Sequence, residues 1–153
     1  MTILKTERVY LPDIVGRGYA TFWKSKKRYL VVKGSRASKK SKTAALKIIY
    51  SMMKPQYRDA DTVVFRKTLS TIKDSCYSDL QWAIHRLKAD AFWQARSNPM
   101  QLAYLPTGQK VLFRGLDDAM KVTSISVDHG YLCWAWLEEA YEVMDEDDFS
   151  MLD

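Results

Sequence analysis

The spacing of hydrophobic positions along this 153-residue chain predicts helices and strands in alternation. Between residues 40 and 54 apolar side chains recur every three or four residues, which predicts an amphipathic helix that Pro55 ends. Short continuous apolar runs predict buried strands at residues 29–33, 62–65 and 131–137. A second helical period predicts a long helix whose apolar face comprises Leu69, Ile72, Cys76, Leu80, Ala83, Ile84 and Leu87.

Two weaker strands, near residues 102–105 and 111–114, flank the turn Pro106-Thr107-Gly108, and this arrangement predicts a hairpin. Residues 116–122 indicate a short helix. No repeat or low-complexity linker interrupts the chain, so we expect one domain over residues 1–153. Strand, loop, helix, strand, helix, hairpin and strand in this order predict an α/β fold with a mainly parallel central sheet flanked by helices.

Composition narrows the class of protein. Hydrophobic residues make up 47% of the chain, which excludes a disordered tail as its main description. No apolar run approaches the roughly 18–20 residues that span a bilayer, so we expect no membrane partner. The two cysteines, Cys76 and Cys133, have neither metal-ligand spacing nor a disulfide framework, which favours a reducing, cytosolic setting.

Charge is distributed unevenly along the sequence. Residues 14–58 contain 13 Lys or Arg and no acid, whereas residues 138–153 contain eight acids and no Lys or Arg. The first 137 residues therefore carry 24 basic and 10 acidic side chains, a formal charge of +14. Such a surface attracts a polyanion, either a nucleotide or a nucleic acid. The alternative is a solvated basic face with no partner.

A candidate phosphate-binding loop lies between the predicted strand at residues 29–33 and the predicted helix at residues 40–54. It matches G-x-x-x-x-G-K-[ST] except that Lys39 replaces the second glycine. In such loops backbone N–H groups surround the phosphates, the lysine neutralises them, and the hydroxyl binds Mg²⁺. The candidate nucleotide-binding residues are Gly34, Ser35, Arg36, Ala37, Ser38, Lys39, Lys40 and Ser41. The alternative interpretation is a basic, serine-rich surface loop.

Lys39 is the physical difficulty in this loop, because lysine adds a Cβ and a long side chain where glycine allows close approach. Its side chain either points into solvent or crowds the loop, and the sequence leaves both open.

Two adjacent acids follow the last predicted strand. Nucleotide hydrolysis requires one carboxylate near Mg²⁺ and another that positions or activates the attacking water. Glu138 is therefore a candidate metal-site acid together with Ser41, and Glu139 is a candidate catalytic residue. Alternatively, both begin a solvated acidic helix. Arg36 is a candidate for stabilising charge on the γ-phosphate, or simply one more surface cation.

Taken together, these segments resemble the N-terminal ATPase region of the large terminase subunit of tailed bacteriophages. The similar segments, in order, are KGSRASKKS, VVFRKTLSTIKDSCYSDL, LAYLPTGQKVLFRGLDDAMKVTSI and WLEEA. They run from about residue 29 to residue 140. The third is the most specific, because ordinary phosphate-loop proteins have no reason to contain an FRG-x-DD element after a hairpin.

The resemblance implies a P-loop NTPase fold of the RecA-like (ASCE) type that uses ATP and Mg²⁺ to move double-stranded DNA into a preformed capsid. It assigns phosphate and Mg²⁺ binding to Lys40 and Ser41, and the loop arginine to Arg36. Glu138 becomes the metal-site acid and Glu139 the catalytic glutamate. Further implied partners are the small terminase subunit and the portal protein. The implied location is the host cytoplasm, with the gene carried by a phage or prophage.

Length separates this chain from large terminases, which continue beyond the acid pair into a coupling motif, further strands and a nuclease domain. This chain stops 14 residues after Glu139. We therefore expect a partial ATPase domain without the nuclease domain, from a fragment, split gene or truncated frame, with a second polypeptide completing the fold. We expect the isolated polypeptide to be marginally stable and to hydrolyse ATP poorly. The alternatives are a basic DNA-binding protein and a degenerate terminase fragment without ATPase activity of its own.

Overall fold

A computed structural model describes residues 8–117, 124–143 and 146. Among the described residues, no helix is long and apolar enough to cross a membrane. The α-helices are α1 (Leu11–Val15), α2 (Ala20–Lys24), α3 (Lys40–Met52) and α4 (Ser78–Arg86). The strands are β1 (Ala60–Arg66), β2 (Trp93–Ser97), β3 (Met100–Tyr104), β4 (Gln109–Gly115) and β5 (Tyr131–Leu137).

The five strands form one sheet in the order β2-β3-β4-β1-β5. Strand β1 pairs in parallel with β4 on one side and with β5 on the other, so that Val64 lies opposite Phe113 and Trp136. Strand β3 is antiparallel to both β2 and β4. These pairings confirm the predicted α/β fold class.

The central strand β1 is buried on both faces, as its continuous apolar run predicts. Val64 faces the main core, which it shares with buried residues of α3 and α4. Val63 and Phe65 face the opposite side and pack with Leu112 and Leu116 in a smaller cluster. Alternate residues of one strand therefore hold together the two faces of the sheet.

The amphipathic helix predicted for residues 40–54 is confirmed as α3, whose Ala45, Ile49 and Met52 are fully buried. Helix α3 packs against α4, where the Lys42 ammonium lies 3.3 Å from Asp79 and 4.3 Å from the centre of the Trp82 ring.

The predicted long helix is divided into three helical pieces. Residues Leu69–Thr71 form a 3₁₀ turn, Lys73–Tyr77 a π-helix, and Ser78–Arg86 an α-helix. Most of the predicted apolar face is buried, but Leu69 is 40% exposed.

The predicted hairpin is confirmed as β3 and β4, joined through Pro106-Thr107-Gly108. Strand β2 was not predicted, since it is short, with only Trp93 and Ala95 apolar, and four of its five residues are exposed. The predicted short helix at residues 116–122 falls mostly outside the described residues, and its first two residues form a turn.

The prediction of a buried strand at residues 29–33 is wrong. These residues adopt no regular secondary structure and are exposed, Val31 to 95%. An apolar run becomes a buried strand only when a neighbouring strand completes its hydrogen bonds. None of the five described strands pairs with this run, and β5 pairs with β1 alone.

Candidate functional site

The candidate site lies where the start of α3 meets the end of β5. The parallel register of β1 and β5 ends with Phe65 opposite Leu137, so Glu138 is the first residue beyond the strand. Its backbone N–H donates a 3.0 Å hydrogen bond to the Phe65 carbonyl, which continues the ladder by one step. The carboxylate therefore emerges at the carboxyl edge of the parallel strands, where open α/β sheets bind ligands.

Ser41 and Glu138, 97 residues apart in sequence, are in direct contact. The Ser41 hydroxyl donates to Oε1 of Glu138, and the Trp136 indole N–H donates to Oε2 over 3.1 Å. Both carboxylate oxygens thus have a partner, and the first turn of α3 is joined to the tip of β5.

Lys40 folds its side chain back onto the loop that precedes α3. Its ammonium donates to the Gly34 carbonyl over 2.8 Å, to the Ser35 carbonyl over 3.0 Å and to the Ser38 hydroxyl over 3.3 Å. A Cβ at Gly34 would lie 3.1 Å from the Ser38 Oγ and 3.3 Å from the Lys40 Cδ. The absence of a side chain at Gly34 therefore lets the lysine close over the loop.

Lys39 takes the backbone conformation for which glycine is suited. Its φ of 64° and ψ of 19° lie in the left-handed region, and its side chain is exposed. Of the two alternatives that the sequence left open, the exposed side chain corresponds to a lysine that points into solvent rather than one that crowds the loop. The Lys39 carbonyl accepts from both the N–H and the hydroxyl of Thr43, which fixes the start of α3.

The environment of Glu138 disfavours its charge. Burial raises the pKa of this carboxyl, and the neighbouring charges of Glu139 and Asp79 add to that effect. The hydrogen bonds from Ser41 and Trp136 act in the opposite direction, so that the pKa remains raised overall. A positive ion at this position would relieve the unfavourable charge.

The remaining predicted site residues lie close by in sequence but have fewer contacts. Glu139 is half-buried, and its backbone lies in the left-handed region, with φ of 53° and ψ of 50°. Its carbonyl accepts a hydrogen bond from the Glu142 N–H. Arg36 is exposed, and its guanidinium forms no hydrogen bond or ion pair within the described part of the chain. The loop residues Ser35 and Ala37 are exposed as well, Ala37 with a φ of 60°.

Comparison with known proteins identifies the family. A sequence model of the phage terminase large subunit matches residues 26–153. The chain belongs to the phage terminase large subunit family. It is 32% identical over 123 residues to the terminase large subunit of Bacillus phage SPP1, covering 80% of this chain and 28% of that protein. It is 30% identical over 125 residues to the PBSX phage terminase large subunit of Bacillus subtilis strain 168, covering 82% of this chain and 27% of that protein.

This family member therefore spans little more than a quarter of the length of the curated relatives it matches. The predicted resemblance to the N-terminal region of large terminases is confirmed at the level of the family.

Two sets of contacts near the loop of residues 34–41 were not predicted from the sequence. Tyr19 donates its hydroxyl proton to the Ser38 carbonyl, and the Lys47 ammonium donates to the Phe22, Trp23 and Ser25 carbonyls at 2.6, 3.0 and 2.8 Å. These bonds attach the segment containing α1 and α2 to the loop and to α3. No periodic signal in residues 8–25 could have found them, because the contacts are tertiary.

The left-handed backbone of Lys39 gives a testable prediction. A Cβ in this region costs about 1 kcal/mol, which outweighs the greater unfolded-state entropy of glycine. We expect Lys39→Gly to raise the unfolding free energy by about 0.5 kcal/mol relative to Lys39→Ala, a control that loses the same charge but keeps the Cβ. Urea denaturation of the two variants measures the difference, and a less stable glycine variant would contradict the conformation.

The raised pKa of Glu138 gives a second prediction. Because the folded state holds this proton more tightly than the unfolded chain, stability falls as pH rises between the two pKa values. Glu138→Gln removes the effect, and its amide can accept from Trp136 and donate to the Ser41 oxygen. The unfolding free energy of the variant, relative to wild type, should increase from about pH 4 to about pH 7. Urea denaturation at both pH values decides this, since a decrease would require a lowered pKa.

Proposed function

We propose that this chain binds ATP with Mg²⁺ and hydrolyses it as the ATPase module of a phage DNA-packaging motor. The observation that carries the proposal is the contact between the Ser41 hydroxyl and the Glu138 carboxylate. It joins a loop with a lysine at the start of a helix to an acid pair at the end of a parallel strand. Membership of the terminase large subunit family supports the same function.

The loop would bind the phosphates through its backbone N–H groups and the N-terminus of α3. Helix α3 has 13 residues, with no acid in its first turn, so nothing there repels an anion. The Lys40 ammonium, which now donates to the Gly34 and Ser35 carbonyls, would transfer its hydrogen bonds to phosphate oxygens.

Ser41 and Glu138 would hold Mg²⁺. Their hydroxyl and carboxylate oxygens are ligands of the type that this cation prefers. Burial is the first cause of the raised pKa of Glu138, so a bound cation would offset the cost of ionising this carboxyl. The described residues contain no cluster of three or more His, Cys, Asp or Glu side chains, so phosphate oxygens and water would complete the coordination. Once bound, Mg²⁺ would neutralise charge that develops on the phosphates.

Glu139 would position and deprotonate the attacking water, because it follows the metal-site acid directly and leaves the strand in another backbone conformation. The exposed Arg36 would reach the γ-phosphate from within the loop and stabilise its charge in the transition state.

We propose that ATP hydrolysis is coupled to movement of double-stranded DNA, and the positive charge of the chain supports DNA binding. The formal charge of +14 on residues 1–137 favours association with a polyanion. In a packaging complex we propose the small terminase subunit and the portal protein as further partners, with the host cytoplasm as the location.

A second polypeptide that completes the ATPase fold is also part of the proposal. Strand β5 pairs with β1 on one edge and with no described strand on the other, and Tyr131 and Leu132 are 50% and 43% exposed. Unpaired strand edges accept additional strands.

Titration of the purified chain with ATP and Mg²⁺ tests the proposed function. Lys40→Ala should weaken ATP binding about 10- to 100-fold, because it removes a charge-assisted hydrogen bond to phosphate. Glu139→Gln should bind within about 2-fold of wild type but hydrolyse about 100-fold more slowly in a single turnover. Lys54→Ala, beyond the opposite end of α3, controls for the loss of a positive charge.

Equal ATP affinity of wild type and Lys40→Ala would contradict the loop assignment. Equal loss of binding and hydrolysis in Glu139→Gln would contradict the role of that residue. Binding of DNA alone, with a steep salt dependence, would instead support the basic DNA-binding alternative.

A further inference from the structure

Arg66 ends β1 beside the candidate site and joins three segments of the chain. Its neighbour Phe65 accepts the backbone hydrogen bond from Glu138. One terminal nitrogen of the guanidinium, Nη1, donates to the Thr71 carbonyl and to the Ser75 hydroxyl, both over 3.2 Å. The other, Nη2, lies 3.5 Å from Oε1 of Glu142. The side chain thus connects β1, the π-helix and the turn that follows the acid pair.

That turn determines where the Glu139 carboxylate lies. Glu139 is left-handed, and the Glu142 N–H closes the turn by donating to the Glu139 carbonyl over 2.8 Å. Left-handed backbone at a residue other than glycine persists only where surrounding contacts hold it. Val143 packs against the smaller core cluster, and Arg66 contacts the Glu142 carboxylate. These two contacts hold the far end of the turn.

The contacts of Arg66 are better explained by a role in positioning the turn after the acid pair than by a contribution to the stability of the fold. Its ion pair with Glu142 is partly exposed, 19% and 26% for the two side chains, and such pairs contribute little to stability. Its Nε is buried without a hydrogen-bond partner in the described part of the chain, which is a cost. The guanidinium is therefore oriented so that its outer nitrogens reach Ser75 and Glu142 while the inner nitrogen stays unpaired.

The charges of Arg66 and Glu138 both affect the pKa of the buried Cys76 thiol. Burial is the main reason that the pKa of Cys76 is raised to about 12. The negative charge of Glu138 also raises this pKa, whereas the hydrogen bond with Ser75 and the positive charge of Arg66 lower it. The charges of Arg66 and Glu138 therefore both act on this one buried group.

We propose that Arg66 is a positioning residue for the acid pair, acting through Glu142 on the turn that carries Glu139. The proposal depends on the proposed function, in which Glu139 acts on the attacking water. It predicts that loss of Arg66 slows hydrolysis without weakening nucleotide binding, since the hydrogen bonds of Arg66 go to Thr71, Ser75 and Glu142 and not to the loop of residues 34–41.

The test compares Arg66→Gln, Glu142→Gln and the double variant with wild type. Lys67→Gln is the matched control, because Lys67 is the next residue and is exposed. Three quantities are measured: amide hydrogen exchange of residues 138–143, the Kd for ATP with Mg²⁺, and the single-turnover hydrolysis rate. Exchange of the α3 amides serves as an internal control for global unfolding.

Arg66→Gln and Glu142→Gln should each accelerate exchange of residues 138–143 and slow hydrolysis about 10- to 100-fold, with Kd within about 2-fold of wild type. The double variant should be no slower than the slower of the two single variants, because both remove the contact between Arg66 and Glu142. Arg66→Lys, which keeps the charge that faces Glu142, should recover part of the rate.

Unchanged exchange at residues 138–143 in Arg66→Gln would overturn the proposal, as would additive effects of the two substitutions or a parallel loss of binding. Hydrogen exchange requires no nucleotide. If wild type bound no ATP, the proposed function would fail, and exchange would still decide whether Arg66 holds the turn.

Discussion

The hydrogen bond between the Ser41 hydroxyl and the Glu138 carboxylate is the interaction on which the candidate site depends. It forms because two independent features end at the same place. Helix α3 begins at Lys40, directly after the loop, and the parallel register of β1 and β5 brings Glu138 out of the sheet beside it. Were β5 shifted by one residue, the next side chain would point to the other face of the sheet and the contact would be lost.

The proposed binding of a phosphate with a cation depends on the surroundings of Lys40 and Glu138. Burial and two neighbouring acids disfavour the charged form of Glu138, and among the described residues the Lys40 ammonium donates only to groups of its own loop. The Lys40 ammonium and the Glu138 carboxylate thus have separate hydrogen-bond partners and do not pair with each other. In the proposed function, a phosphate group would accept from Lys40 and a divalent cation would bind Glu138.

Local patterns predicted the elements whose burial follows from their own sequence. The apolar face of α3, the continuous run in β1 and the hairpin of β3 and β4 are of this kind. The run at residues 29–33 has the same apolar character but no partner strand among the described residues, and it is exposed. Strand β2 is the opposite case, because a mostly polar segment forms a strand where it pairs with β3.

For the site, the sequence supplied the candidate residues but not their geometry. Lys39 departs from the loop pattern, yet the sequence could not show that its backbone is left-handed. The contacts of Arg66 with Ser75 and Glu142 join segments up to 76 residues apart, so no local signal could reveal them. The family resemblance was confirmed independently of these details, by the match over residues 26–153.

A crystal structure of the chain with Mn²⁺ and a non-hydrolysable ATP analogue tests the central claim most directly, because anomalous scattering locates Mn²⁺. Our account predicts the ion between the Ser41 hydroxyl and the Glu138 carboxylate, with the Lys40 ammonium moved from the Gly34 and Ser35 carbonyls to the phosphates. Mn²⁺ and nucleotide bound away from these residues, with Lys40 still folded onto its own loop, would contradict it.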